Sequence, residues 1–175
     1  EAEHSACGVG FVARRDGARD HDTLKDALRA LENLEHRGAC AADGRSGDGA
    51  GVLTDIPYEL LGIEPDSVAL ATIFVTDDPW VYQRAIDVFQ VTFEFFGIDV
   101  VNLREVPTDP SMLGPQAREC MPKILHATLK RPEHCATTAS YESLLYRGKQ
   151  ELRRRLKEAG LHRAFFFASL SPDTC

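Results

Sequence analysis

The sequence predicts a domain of the α/β or α+β class, because segments with strand character alternate with segments of helical periodicity along the chain. Its 175 residues are enough to bury a hydrophobic core within one domain. A content of 43% hydrophobic and 27% charged residues is typical of globular proteins. No internal repeat or linker interrupts the alternation, so a single domain is expected.

The first predicted elements are a strand, a helix and a glycine-rich loop. Residues 7–13, CGVGFVA, form an apolar run whose glycines allow close backbone approach, which is typical of a strand. Thr23 is predicted to cap the helix that follows, with Asp26 at the capping-box position, and Gly38 is predicted to end it. One face of this helix is apolar and predicted to be buried: Leu24, Ala27, Leu28, Leu31 and Leu34.

The remaining elements alternate to the end of the sequence. Strands are predicted over residues 51–56, 68–75, 99–106, 123–129 and 163–170, and helices over residues 79–96 and 140–159. The first of these helices is apolar nearly all round, which predicts packing on more than one side. Prolines punctuate residues 107–120, which are predicted to form a loop.

Charge and hydropathy argue against nucleic-acid binding, a membrane span and secretion. The net charge of -7 argues against non-specific nucleic-acid binding, which needs a basic surface. No apolar stretch approaches the roughly 18 to 20 residues that a membrane helix needs. Residues 1–6 lack the basic start and apolar middle of a secretory signal, so a cytoplasmic location is expected.

The cysteine pattern indicates reduced thiols. The chain has five cysteines, an odd number, at wide spacings and without a C-x-x-C motif. His126, His134 and Cys135 match no zinc-binding spacing, so no metal site is predicted.

Two motifs admit more than one interpretation. The glycines of ADGRSGDGAG, residues 42–51, lead into a predicted strand and not into a helix, which disfavours a phosphate site. A tight loop that brings backbone close to an active site is the favoured interpretation. The basic segment over residues 146–163 carries a leucine stripe and predicts a solvated helix face; docking on an acidic partner is the alternative.

Cys7 also has two interpretations. A buried thiol within a strand is the first. The second is an N-terminal nucleophile, produced by cleavage between Ala6 and Cys7. Cleavage would free an α-amino group with a pKa of about 7.7 to 8.0 on the same residue as the thiol. That amine could accept the thiol proton near neutral pH.

Two stretches resemble a known family. CGVGF, followed by LENLEHRGACAADGRSGDGAGV, resembles the class II glutamine amidotransferase domain at the N-terminus of the glutamate synthase large subunit. RAFFFASLS, near the end of the sequence, resembles a later strand of the same domain. The resemblance favours the nucleophile interpretation of Cys7, and it divides the chain into a leader, residues 1–6, and an amidotransferase domain, residues 7–175.

The resemblance implies an α+β fold, the four-layer αββα sandwich of the N-terminal-nucleophile hydrolases. It implies that Cys7 is catalytic, attacking the side-chain amide of glutamine to give a γ-glutamyl thioester and ammonia, and that water then releases glutamate. It implies that Arg37 and Gly38 bind the substrate. Arg37 also has a simpler interpretation, as a cation at the end of a helix. The ammonia would pass to synthase domains that aminate 2-oxoglutarate with FMN and an iron–sulfur cluster, cofactors expected outside this chain.

The sequence departs from this family in two ways. Residues 1–6 are present, and the family's oxyanion segment His-Asn-Gly-Glu occurs nowhere in the 175 residues. One oxyanion donor typically contributes about 3 to 4 kcal/mol of transition-state stabilisation, so the chain alone is expected to be inactive and to be a fragment of a longer protein. Two alternatives remain: an amidotransferase that supplies another acceptor, such as a sugar phosphate, and a non-catalytic assembly domain.

Overall fold

The structure, a computed structural model, describes residues 8–175, leaving out the side chain of Arg37. Cys7 and the predicted leader therefore lie outside the described residues. The chain forms two compact units: a first unit of residues 8–54 with Asp109–Cys120, and a second unit of Asp55–Thr108 with Met121–Cys175. The elements are helices α1 (His21–Glu32), α2 (Tyr58–Leu61), α3 (Pro79–Phe95), α4 (Pro115–Glu119) and α5 (Thr138–Glu158), and strands β1 (Val68–Val75), β2 (Val100–Glu105), β3 (Lys123–Lys130) and β4 (Phe165–Ser171).

The second unit contains an antiparallel four-stranded sheet in the order β2-β3-β1-β4. Alternate side chains of the central strand β1 enter the core: Ala69, Ala71, Ile73 and Val75. Strand β1 is almost fully buried, as its continuous apolar run predicts. Helices and antiparallel strands in one unit confirm the α+β class.

Helix α3 packs its aromatic side chains against strand β4. Asp78 accepts a hydrogen bond from the Val81 amide, and Gly97 ends the helical segment with φ at 72°. Phe89 and Phe93 are fully buried and contact Phe167. The prediction that this helix packs on more than one side is confirmed, because α3 contacts both the sheet and α5, although some of its aromatic side chains, such as Trp80 and Phe95, are exposed.

Helix α5 lies beside α3 and carries the basic segment. A capping box between Thr137 and Ser140 starts the helix. A Cβ added at Gly148 would lie 3.2 Å from the Phe93 ring, so glycine allows the two helices to approach closely. The predicted leucine stripe is buried: Leu145, Leu152 and Leu156. Four charged side chains, of Glu151, Arg154, Arg155 and Glu158, form ion pairs with one another along the helix, in line with the solvated interpretation.

The predicted strand at residues 7–13 is wrong from Gly8 onwards. Residues 8–13 have no regular structure, and the side chains of Val9 and Phe11 are 91% and 94% exposed. A strand needs a partner, and within the described part of the chain this segment joins no ladder. Among the described residues, the first strand of the sheet is β1.

Three smaller predictions are also corrected. Residues 51–56 form only an isolated bridge between Asp55 and Thr174, because no continuous partner strand runs beside them in the described part of the chain. Asp20, and not Thr23, caps α1, because its carboxylate accepts the Thr23 amide. Residues 107–120 contain α4 and a short 3₁₀ turn in addition to loop.

Candidate active site

The backbone next to the predicted nucleophile lies in the first unit, against the end of α1. A Cβ added at Gly8 would lie 3.2 Å from one methyl of Leu34 and 3.4 Å from the other. Leu34 directly precedes the 3₁₀ turn Glu35–Arg37. The fold therefore brings the residue that follows Cys7 in sequence close to the turn that carries the backbone of Arg37.

The turn at Arg37 and Gly38 differs from the predicted helix end. Helix α1 ends at Glu32, and the 3₁₀ turn follows it after two residues. Arg37 is consequently outside the last turn of the α-helix, where a helix dipole is effective. The simple helix-end interpretation of Arg37 therefore loses its basis, and the prediction that Gly38 ends this helix is wrong.

Gly38 closes the 3₁₀ turn in an extended conformation. Its amide donates to the Glu35 carbonyl at 2.9 Å, and its φ and ψ are -83° and 164°, which any residue can adopt. A Cβ at Gly38 would lie 3.3 Å from that same carbonyl oxygen, closer than nearly all such contacts. Glycine is therefore favoured here by close packing and not by conformational freedom.

The glycine-rich loop that follows is a short hairpin, Ala39–Asp48. Cys40 and Gly47 form an antiparallel bridge, and the Ala41 amide donates to the Ser46 carbonyl at 2.7 Å. At the open end, the Ala39 amide donates to Asp48 Oδ2 at 2.9 Å, while the Asp48 amide donates to the Ala39 carbonyl at 3.2 Å. The hairpin thus begins immediately after Gly38 and is closed at that point.

A partly buried cluster centred on Asp43 holds the tip of the hairpin. Asp43 Oδ1 accepts the amides of Arg45 and Ser46 at 3.0 and 2.7 Å, and Oδ2 accepts the Ser46 hydroxyl at 2.6 Å. These bonds, chiefly those from Ser46, hold the pKa of the Asp43 carboxyl well below its usual range. The same cluster reaches α4: Gln116 donates its amide to Asp43 Oδ2 at 3.3 Å, and Ala117 donates to Ser46 Oγ at 3.1 Å.

Asp43 and Ser46 are not among the functional candidates predicted from the sequence. An Asp followed by a Ser three residues later, inside a glycine-rich loop, is a local turn signal that could have suggested their mutual bonds. Their partners on α4 lie 71 and 73 residues away in sequence, and no local pattern announces them.

Among residues 8–175, no group of three or more His, Cys, Asp or Glu side chains is arranged to hold a metal ion. No described helix combines the length and the apolar character that crossing a membrane requires.

Comparison with known proteins identifies the class. The family model "Glutamine amidotransferases class-II" matches residues 7–175. The chain belongs to this family, and the match begins at Cys7 and covers Arg37, Gly38 and the hairpin. The resemblance drawn from CGVGF and LENLEHRGACAADGRSGDGAGV is thereby confirmed.

The similar curated proteins are glutamate synthases. Ferredoxin-dependent glutamate synthase 1 of Arabidopsis thaliana is 35% identical over 99% of this chain and 11% of its own length. Ferredoxin-dependent glutamate synthase 2 of Synechocystis is 38% identical over 77% of the chain and 9% of its own length. The NADH glutamate synthase of Schizosaccharomyces pombe is 30% identical over 98% of the chain and 9% of its own length. The chain is thus similar to the amidotransferase domain of glutamate synthases.

The chain corresponds to a small part of each of these relatives, between 9% and 11% of their length. The Arabidopsis protein is named as chloroplastic and mitochondrial, so a cytoplasmic location for this chain remains a prediction.

Proposed function

We propose that this chain is the glutaminase part of a glutamate synthase. It hydrolyses glutamine to glutamate and ammonia, and a synthase part uses the ammonia in the reductive amination of 2-oxoglutarate. The observation that carries the proposal is the family match that begins at Cys7 and includes Arg37 and Gly38. It is supported by the position of Gly8, where an added Cβ would lie 3.2 Å from Leu34 beside that turn.

Cys7 is the proposed nucleophile. Its thiol proton passes to the α-amino group of the same residue, and the sulfur attacks the side-chain amide carbon of glutamine. The C–N bond breaks, the nitrogen leaves as ammonia with the transferred proton, and a γ-glutamyl thioester remains. Water then attacks the thioester, releases glutamate and restores the thiol.

Removal of residues 1–6 is part of this mechanism. While Ala6 is bonded to Cys7, the nitrogen of Cys7 belongs to an amide and cannot accept a proton. Cleavage converts it into an amine whose pKa lies near neutrality. The proposed organisation is thus a leader, residues 1–6, and an amidotransferase domain, residues 7–175, of the four-layer αββα type.

Arg37 and Gly38 are the proposed glutamine-binding residues. The planar guanidinium of an arginine can pair with the α-carboxylate of glutamine through two parallel hydrogen bonds. The Gly38 amide is already donated to Glu35, so the contribution of Gly38 is its lack of a side chain, which leaves room beside the turn.

FMN and an iron–sulfur cluster are assigned to the synthase part. A cluster requires several cysteines at one place. The described cysteines do not provide this, because residues 8–175 contain no group of three or more His, Cys, Asp or Glu side chains arranged to hold a metal ion. These cofactors would supply electrons for the amination, and no residue described above is assigned to them.

The test is a Cys7→Ala variant of the full-length natural protein. Glutamine-dependent glutamate synthesis should be lost, whereas ammonia-dependent synthesis should be retained, because only the first requires the thiol. Cys120→Ala, which removes an exposed thiol of the first unit outside the hairpin, is the matched control and should retain both activities. Equal loss of both activities in Cys7→Ala would contradict the proposal.

Covalent trapping of the full-length natural protein by a glutamine analogue tests the two alternative functions. An amidotransferase that supplies another acceptor would be trapped at Cys7 by a glutamine-analogue electrophile but would not aminate 2-oxoglutarate. A non-catalytic assembly domain would not be trapped at all.

A further inference from the structure

We infer that Asp43 and Ser46 are positioning residues for glutamine binding: they fasten the hairpin Ala39–Asp48 to α4 and thereby fix the place of the turn at Arg37 and Gly38. The inference rests on the proposed function, since it gives these two residues their effect through the glutamine site. Neither residue is assigned a contact with the substrate.

The N-terminus of α4 depends on the hairpin for its capping. Gly114 occupies the N-cap position and has no side chain to accept the first free amides, and Pro115 at N1 has no amide hydrogen. The next two amides, of Gln116 and Ala117, donate instead to Asp43 Oδ2 and Ser46 Oγ. The hairpin thus supplies the caps that a local Ser, Thr, Asp or Asn usually supplies.

The hairpin and the start of α4 lie so close together that there is no room for a side chain at Gly114. A Cβ there would lie 2.4 Å from Ser46 Oγ, 2.5 Å from the Ser46 nitrogen and 2.8 Å from the Arg45 carbonyl carbon. Ser46 itself is only 6% exposed. The hairpin and α4 are therefore packed backbone to backbone, and the hydroxyl of Ser46 is held between them.

A continuous chain of bonds leads from this contact to Gly38. Asp43 and Ser46 fix the tip of the hairpin, and the bridge between Cys40 and Gly47 joins its two sides. Both backbone groups of Ala39 are then bonded to Asp48. Because Ala39 follows Gly38 directly, loosening the tip would let the turn that carries the proposed glutamine-binding residues move.

The test compares Asp43→Asn and Ser46→Ala in the full-length natural protein. The amide of Asn replaces one carboxylate oxygen with a donor and weakens the bonds to the Ser46 hydroxyl and the Gln116 amide. Ser46→Ala removes the group that joins Asp43 to Ala117. Asp109→Asn is the matched control, because Asp109 also accepts a backbone amide in the first unit, at 2.9 Å from Ser111, but lies outside the hairpin.

A positioning role predicts a change in KM and not in kcat. The KM for glutamine should rise about tenfold in both variants, with kcat within about twofold, because a displaced binding group weakens substrate binding without altering the thiol. Ammonia-dependent synthesis and the Asp109→Asn control should be unchanged. A purely structural role would lower the amount of active enzyme, and therefore kcat, at constant KM; that result would overturn the inference.

Covalent labelling provides a second measurement that does not depend on turnover. The rate of inactivation by a glutamine-analogue electrophile at low concentration should fall about tenfold, in line with the change in KM. Labelling of the same thiol by iodoacetamide, which does not use the glutamine site, should be unchanged. If both rates fall equally, or neither falls, the inference is wrong.

The two proposals can fail separately. If Cys7→Ala retains glutamine-dependent activity, the proposed function fails whatever the Asp43 variants do. If Cys7→Ala abolishes that activity and the variants at Asp43 and Ser46 keep the natural KM, only the positioning role fails. If Asp43→Asn does not fold, Ser46→Ala decides the question, because it retains the charge and the two amide bonds of Asp43 Oδ1.

Discussion

Replacing Gly114 with alanine should separate the hairpin from α4. The φ and ψ of Gly114 are -66° and 162°, which alanine adopts without strain, so any effect comes from the added methyl group. That group would lie within 2.8 Å of three atoms, two of which belong to the backbone of Arg45 and Ser46 and cannot rotate away. Overpacking of this kind costs about 1–3 kcal/mol. The restricted unfolded chain offsets about 0.4–1 kcal/mol of that cost.

The net effect is a local destabilisation of about 1–2 kcal/mol, which corresponds to a loss of amide protection of about fivefold to thirtyfold. Hydrogen exchange followed by mass spectrometry on the full-length protein measures it at the amides of Gln116 and Ala117. Gly49→Ala is the matched control, because the space around Gly49 is open within 4 Å. If the amides of Gln116 and Ala117 are protected from exchange equally well in the Gly114→Ala and Gly49→Ala variants, this contact does not hold the hairpin and α4 together.

Three further predictions concern the binding site, acid stability and the core. Arg37→Lys should raise the KM for glutamine with the fold intact, because lysine lacks the planar fork, and an unchanged kcat/KM would contradict this role. The hydrogen bonds from Arg154 and Arg155 lower the pKa of Glu151 from 4.5 to about 2. Their contribution to folding stability is therefore complete above pH 4.5 and is lost as the pH falls towards 2. Protection of the α5 amides should therefore fall as the pH is lowered from 4.5 to about 2, with a smaller fall in Glu151→Gln. Phe89→Ala should destabilise the second unit by about 3–5 kcal/mol in denaturant titrations, and the exposed Phe95→Ala by much less.

The sequence predicted the second unit well because its signals are local. A continuous apolar run marks β1, and Asp78 with Pro79 marks the start of α3 through capping chemistry that involves adjacent residues. The leucine stripe of α5 depends only on helical periodicity. Each of these features can be recognised without knowing what lies elsewhere in the chain.

The first unit was predicted less well because its structure depends on distant partners. The apolar run after Cys7 has strand composition, but composition does not supply a neighbouring strand, and Val9 and Phe11 are exposed. The hairpin acquires its anchor from α4, more than seventy residues later. Arg37 and Gly38 became candidates through family resemblance, since an arginine and a glycine in a turn have no distinctive physical signal of their own.

The central claim is that the α-amino group of Cys7 is the base that activates its thiol. Two full-length proteins test it directly, one that begins at Cys7 and one that carries residues 1–6 with Ala6 replaced so that the leader cannot be removed. The measurement is the rate of glutamine hydrolysis by each protein after its intact mass has verified the N-terminus. The account predicts hydrolysis by the protein that begins at Cys7 and none above background by the protein that retains the leader. Equal rates in the two proteins would show that the amine is not the base and would contradict the N-terminal-nucleophile mechanism for this chain.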